Sequence, residues 1–442
     1  MALEQDPTRP PSAPAPRFGR VLLLIVFCAL GLRVGYVLSV TRYDHGFYDA
    51  VFYQLEAHTV ADGRGFVYPL PGALGGQAAA DHPPLTVIAL VPAAKLTRGT
   101  FWMRITMVLL GAAVVALVAL LGRRLGGPRV GLLAGGLAAV YPNLWLNDGL
   151  VMSETLAALT SVAALLLAYR LLRRPSTGVA VGLGAVCALA ALTREELVLF
   201  VPLLALPAAW LSSRDPKTRR RVSAGVVGAA VVVAAPWVIF NLTRFDDPTF
   251  FSTGDGAALL GSYCGRSYHP PAIGFWNLKC LPVNQPPGDQ SVVSADYRQR
   301  AITYAGHHLG DLPVVVATRL GRMLGVYNPG QLARYNSGEG RPEWASLLGL
   351  ATFLLLLPIA VGGGIWLRRR RGRLWPLLAP GVLVLVSTAL VYGTPRFRAP
   401  AEPVVVVLAA VGVAALLARR WPEWQLDVTE VAVPAPAASR AT

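Results

Sequence analysis

The chain has 442 residues, 54% of them hydrophobic and 14% charged. So little charge excludes an ordinary water-soluble protein of this length, and the apolar runs of about twenty residues match a bilayer's thickness when helical. The formal charge of +16 recurs as clusters between alternate apolar runs, a membrane-orientation pattern that needs no nucleic-acid partner.

In chain order, residues 1–20 are rich in Pro and Ala and are expected to be a disordered cytoplasmic N-terminus. Apolar runs then predict membrane helices over 21–40, 103–122, 130–146, 155–169, 179–193, 197–211, 222–240, 346–367, 375–392 and 404–418, with 85–96 as a partial insertion. The fold class is an all-α polytopic integral membrane protein with about 10–11 transmembrane helices and further helices in its outer loops. The first run lacks a small-residue cleavage site and reads as an uncleaved anchor. Arg33 lies inside it and needs a partner, a lipid phosphate or a water-filled cavity, unless it snorkels to the headgroups.

Basic clusters at Arg17 and Arg20, at Arg123, Arg124 and Arg129, at Arg170, Arg173 and Arg174, at 214–221, at 368–373, and at Arg419 and Arg420 assign those loops and both termini to the cytoplasm. The expected location is the plasma (inner) membrane. The division that follows is a transmembrane catalytic module over 21–240 carrying a first outer loop at 41–102, an extracytoplasmic loop domain at 241–345, C-terminal transmembrane helices at 346–418 and a disordered cytoplasmic tail at 419–442. Two long outer segments against short turns elsewhere suggest that one face carries the chemistry.

Cys28 and Cys187 fall in apolar spans and read as packing residues. Cys264 and Cys280 share the second outer segment, where they are either a disulfide, contributing about 3 kcal/mol for a loop of this length, or two free thiols. No Cys/His pattern reads as a zinc site.

Asp44 and Asp49 stand just outside the first helix among Tyr43, Phe47, Tyr48, Phe52 and Tyr53. Poor hydration there favours a raised pKa, which suits a general base; solvated loop acids and helix caps are the plain alternative. The loop continues through Asp62-Gly63-Arg64-Gly65-Phe66 to His82-Pro83-Pro84-Leu85. Ser153-Glu154 and Thr193-Arg194-Glu195 occupy short turns, where they either cap helices or line a pocket. Arg396-Phe397-Arg398 lies between two apolar runs and, with Arg319 and Arg322 three apart in the second loop, offers cations for a phosphate.

Taken in this order, Asp49, Tyr53, Asp62-Gly63-Arg64-Gly65-Phe66, His82-Pro83-Pro84-Leu85, Ser153-Glu154, Thr193-Arg194-Glu195 and Arg396-Phe397-Arg398 resemble a bacterial GT-C glycosyltransferase of glycosyltransferase family 39, the branch of protein mannosyltransferases and lipid A aminoarabinose transferases. The resemblance runs over roughly residues 20–418. It implies inverting transfer of a sugar, mannose or pentose-like, from a polyprenyl-phosphate donor to a hydroxyl of a glycan, lipid or protein acceptor on the extracytoplasmic side. It implies Asp49 as base with Asp44 second, His82, Arg319, Arg396 and Arg398 at the donor phosphate, and Tyr53, Glu154, Arg194 and Glu195 around the acceptor or sugar. Where protein mannosyltransferases have an Asp-Glu pair, Asp49 is followed by Ala50.

No Gly-rich phosphate turn or strand–helix alternation suggests a nucleotide-sugar donor. The sequence requires no cofactor and shows no carboxylate cluster for a metal, although a divalent cation is compatible with phosphate departure. A transporter or flippase is the competing class; it calls for paired charges at mid-membrane, whereas the ionisable residues here crowd the rim.

Overall fold

The computed structural model describes residues 18–42, 49–72 and 74–432. Among them there is no strand, and five helices are long and apolar enough to cross a membrane: α1 (Phe18–Tyr36, continuing as a wider turn to Thr41), α4 (Phe101–Gly126), α7 (Glu154–Arg173), α10 (Pro216–Leu242) and α16 (Glu343–Arg369). Between α1 and α4 lie α2 (Asp49–Ala61) and α3 (Leu85–Leu96), between α4 and α7 α5 (Pro128–Val140) and α6 (Pro142–Asp148), and after α7 α8 (Thr177–Ala191) and the short α9 (Leu206–Leu211). Five helices follow α10: α11 (Gly254–Ser262), α12 (Gly265–Tyr268), α13 (Gln290–His307), α14 (Leu312–Leu324) and α15 (Pro329–Ser337). The apolar α17 (Trp375–Leu390) and α18 (Glu402–Leu417) complete the membrane bundle.

The bundle is built around α7. In its apolar stretch 72% of residues are buried inside the protein, against 17% for α10 and 22% for α16, whose exposed Val231, Val232, Leu355 and Val361 suit only a lipid surround. Small residues let the backbones close up where water cannot drive association. A Cβ on Gly184 of α8 would strike the Val226 carbonyl of α10, and one on Gly363 of α16 would strike that of Leu408 on α18.

Two predicted spans are interrupted. Residues 130–146 break at Tyr141, where the extended backbone before Pro142 ends α5 and starts α6. Residues 197–211 are a tight turn (Glu195–Leu199), a wide turn (Val201–Ala205) and α9 in succession, because Pro202 and Pro207 each remove a helix hydrogen bond. The partial insertion at 85–96 is the helix α3.

Arg33 is fully buried and has a partner: its Nε donates to Asp148 Oδ2 at 2.6 Å, and Asp148 also accepts from Thr155. Snorkelling is therefore ruled out. The arginines ending α4, α7 and α16 gather at the bundle end remote from Glu154 and Glu402, where they also complement the helix dipoles. There the tail departs from expectation as far as Ala432. Glu430 pairs with Arg124 (3.2 Å) and Arg173 (2.9 Å), Leu426 and Val428 pack on the core, and the Val431 carbonyl accepts from the Arg373 amide. This apolar and ionic docking outweighs the polar composition that suggested disorder. The expected disordered stretches at 1–17 and 433–442 lie outside the described residues.

At the opposite end α11–α15 pack over the first loop. Arg244, leaving α10, donates to the Phe66 and Ala79 carbonyls, and Gln290 accepts from the Ala80 amide and Thr253. Cys264 and Cys280 are joined, with Cα atoms 6.2 Å apart, closing the segment between α11 and α13.

Candidate active site

Six separate stretches of chain meet at the end of the bundle away from the arginine-rich helix termini. Asp49 begins α2, and Tyr53 and Glu56 follow on the same helical face. Asp81 and His82 stand in the turn before α3, which the Leu85 amide fastens to the Leu192 carbonyl at 2.8 Å. Glu154 opens α7, Arg194 follows α8, Glu339 and Arg341 lie between α15 and α16, and Arg396 sits in the turn Pro395–Arg398 after α17.

Arg396 joins them. Its Nη2 donates to Asp49 Oδ2 at 2.8 Å, its Nε to Glu154 Oε1 at 2.7 Å and its Nη1 to Glu339 Oε1 at 2.7 Å. Glu154 also faces Arg341 at 3.6 Å and Arg194 at 3.7 Å, while Arg341 pairs with Glu339 and Arg194 with Glu196. Four carboxylates thus face three guanidiniums, with Glu154 wholly buried and Arg396 8% exposed. On the other side of Asp49, His82 Nε2 lies 3.8 Å from Asp49 and 3.5 Å from Asp81, its ring stacked on Tyr53 at 4.6 Å.

Two chambers open from this cluster, of about 190 and 440 Å³, and Asp49, Asp81, His82, Tyr392 and Arg396 line both. The smaller adds Tyr53, Arg194 and Glu195 and reaches Ser387 and Val391 at the end of α17. The larger runs outward between the first loop and α11–α15.

Electrostatics separate the acids. Burial raises the Asp49 pKa, but Arg396, His82 and Arg194 together outweigh it and hold the carboxyl well below the usual range. The expected raised pKa is therefore reversed at Asp49, because proximity to arginine exceeds the loss of hydration. Asp81 lacks such a partner, and burial leaves its pKa raised despite His82. Burial also pushes Glu195 up to about 7, against the Ser252 hydroxyl that donates to it at 2.6 Å.

Glu56 is pushed up to about 9 by burial and by Asp81, and neither of its oxygens has a hydrogen-bond partner among the described residues. The folded state keeps this proton after the unfolded chain has released it near pH 4.5. Between pH 5 and 8 stability should therefore fall as pH rises, by up to about 1.4 kcal/mol per pH unit. Glu56→Gln should flatten that slope in thermal unfolding measured across the range; an equally steep slope in the variant would clear Glu56 of responsibility.

Of the residues singled out from sequence, Asp49, Tyr53, His82, Glu154, Arg194, Glu195 and Arg396 come together, and Asp44 lies outside the described residues. Arg319 and Arg398 do not reach Asp49. Arg319 donates to the Ser262 and Ala389 carbonyls (2.8 and 2.9 Å) and Arg398 to Glu402 and the Met323 carbonyl (2.8 and 2.6 Å). These bonds hold α14 to its neighbours. Asp81, beside His82 in the first loop, has no separate role in the sequence reading, which misses Glu339 and Arg341. The available signal for the last two was an acid and a base, Glu339-Gly340-Arg341, immediately before an apolar run. Among the described residues no group of three or more His, Cys, Asp or Glu side chains is arranged to hold a metal ion.

Residues 81–240 match the family model described as dolichyl-phosphate-mannose-protein mannosyltransferase, a stretch that contains His82, Glu154 and Arg194 and stops short of Arg396. No curated protein matches the chain. Among solved structures, the apo oligosaccharyltransferase of Archaeoglobus fulgidus aligns with TM-score 0.53 and 15% identity over 91% of this chain and 51% of its own. The Archaeoglobus fulgidus enzyme AglB, in complex with an inhibitory peptide and a dolichol-phosphate, gives 0.51 and 15% over 91% and 50%. ArnT from Cupriavidus metallidurans, bound to undecaprenyl phosphate, gives 0.41 and 17% over 91% and 80%. The chain spans about half the length of the archaeal enzyme, and at these identities the likeness is one of fold.

Proposed function

We propose that this chain, which has the GT-C glycosyltransferase fold, transfers one sugar from a polyprenyl-phosphate donor to an acceptor hydroxyl at the outer face of the plasma membrane, with inversion. The observation that carries this reading is the placement of Asp49 where two chambers meet, with Arg194 and His82 lining the smaller of them. A displacement at the anomeric carbon needs a proton acceptor on one side of the sugar and positive charge where the phosphate leaves on the other. Asp49 takes the acceptor's proton as the new C–O bond forms. The bond from the anomeric carbon to the phosphate oxygen breaks, and polyprenyl phosphate departs.

The smaller chamber suits the donor. It touches the end of α17, so an isoprenoid chain can remain in the bilayer while its phosphate meets Arg194 and His82. Arg396 contributes its field rather than a free hydrogen-bonding edge, since three carboxylates already occupy it. The basic clusters at the opposite end favour the cytoplasm, which supports an outward-facing site. The sugar, mannose or a pentose, follows the resemblance alone.

Incubating the purified protein with radiolabelled polyprenyl-phosphate mannose and polyprenyl-phosphate arabinose, and with a cell-envelope extract as the source of acceptor, should yield a labelled glycoside and free polyprenyl phosphate; solute uptake into liposomes without any glycosidic product would replace this reading with transport. Glu195 supplies a pH test. As it ionises near pH 7 it adds a negative charge beside the donor phosphate. The KM for donor should then rise by roughly an order of magnitude between pH 6 and 8.5, the scale of one partly buried like-charge contact. Glu195→Gln should remove that rise, and a persistent rise would assign it to another group.

A further inference from the structure

We infer that the larger chamber is an acceptor subsite for an uncharged glycan. This rests on the transferase reading above and adds the acceptor's chemical class.

The chamber's charges are confined to its inner end. Asp49, Asp81, His82, Glu339 and Arg396 cluster where the reaction would occur, and every other lining residue among the described ones is uncharged. A phosphorylated or uronate-rich acceptor would find no cation along the rest of its length among the described residues, and leaving its charges unpaired in a cleft is costly. The inner end already carries three acids against Arg396 and His82, which disfavours further negative charge.

Rings supply the outer walls. Phe52, Tyr68, Trp276, Tyr297 and Tyr335 line the chamber from five separate stretches of chain. Several are fixed by their surroundings: Tyr335 stacks on Phe275 at 4.8 Å, Phe52 meets Tyr68 at 5.7 Å, and the Trp276 indole donates to the Ala257 carbonyl at 2.9 Å. Rigid aromatic faces with phenol and amide groups at their edges match a sugar, which has an apolar C–H face and a rim of hydroxyls. The volume, about 440 Å³, lies within the roughly 300–1,000 Å³ of small-ligand sites.

The other acceptor classes fit less well. An extended peptide must pair its backbone groups, usually along a sheet edge, and the described residues offer only two isolated bridges. A lipid acceptor needs an opening to the bilayer. The outer walls come from α2, the first loop and the α11–α15 segment, which are not among the spanning helices.

The test uses the full-length protein in nanodiscs and saturation-transfer NMR with four probes: mannotetraose, arabinotetraose, a Ser/Thr-rich peptide and tetragalacturonate. At least one neutral tetrasaccharide should bind, and the peptide and the anionic tetrasaccharide should not. Tyr68→Ala and Tyr335→Ala should each weaken saccharide binding by about tenfold, the loss of one ring contact, whereas Tyr68→Phe and Tyr335→Phe should keep it. Preferential binding of peptide or tetragalacturonate, or undiminished binding in both alanine variants, overturns the inference. A separate arm follows slow release of free mannose or arabinose from the polyprenyl-phosphate donors by the wild-type protein without acceptor. Release without neutral-saccharide binding overturns the acceptor class alone; absence of release counts against the transferase reading itself.

Discussion

Arg396→Ala is expected to produce the largest combined loss of stability and activity of any single substitution in the site. The guanidinium serves Asp49, Glu154 and Glu339 at once, each within 2.8 Å. Removing it leaves Glu154, wholly buried, with only the longer contacts to Arg194 and Arg341. Breaking a buried pair by deleting one partner costs about 3–5 kcal/mol, so the melting temperature should fall sharply and transfer should be lost with it. Arg396→Lys restores one positive charge but not a planar fork with three donors. It should recover part of the stability while remaining a poor catalyst. Thermal unfolding followed by tryptophan fluorescence, alongside donor titrations, separates these effects. A variant that melts like the wild type and shows only a raised KM for donor would mean that Arg396 is a phosphate ligand and little else.

A structural hub at Arg396 differs from what Arg396-Phe397-Arg398 suggests when read along the chain, and the difference shows where sequence reasoning stops. Two arginines flanking an aromatic look equivalent, yet one turn of backbone sends Arg396 to Asp49 and Arg398 to Glu402 and the Met323 carbonyl. Arg319, three positions before Arg322, likewise offers a cation for a phosphate when read along the chain, and its guanidinium donates to main-chain carbonyls. A cation's partner is a tertiary property, and nothing local distinguishes a guanidinium that meets a carbonyl from one that meets a substrate. Glu339 pairs with Arg396 across 57 positions and Asp49 across 347, so no spacing rule could have joined them.

Features governed by local physics were legible. The long apolar runs are helices because a backbone in lipid must satisfy its own hydrogen bonds, and Asp49 and Tyr53, four apart, share a helix face as that period requires. The departures have local causes whose weight was misjudged: paired prolines within 197–211, Pro142 within 130–146, and in the tail a single acid, Glu430, that finds two arginines. The site face and the tail thus use one device, a carboxylate shared between guanidiniums, at opposite ends of the bundle. At the tail the pairs are half-exposed and weak; at the site Arg396 and Glu154 are shielded from water and Arg396 sets the charge state of Asp49.

Asp49→Asn should abolish transfer while leaving the fold intact. Asparagine keeps the shape of the side chain and still offers Arg396 an oxygen, and Arg396 retains Glu154 and Glu339; melting should therefore change little. What disappears is the proton acceptor, and loss of a positioned base lowers the rate by about 10²–10⁴-fold. The pH profile adds a second check. Because Arg396 holds the Asp49 carboxyl well below the ordinary range, the wild-type activity should show no acid-side loss from this group anywhere near neutrality. In Arg396→Lys, where that field is less well directed, the Asp49 pKa should rise and the acid limb of the residual activity should move to higher pH. An intense base is not required for this chemistry, since the proton moves only as the new bond forms. On the proposed reading a donor phosphate would also draw on the positive charge that suppresses Asp49, and its arrival would raise the Asp49 pKa. Normal turnover by Asp49→Asn would transfer the role to Asp81, which shares His82 at 3.5 Å and has a raised pKa; Asp81→Asn would then be the variant that loses activity.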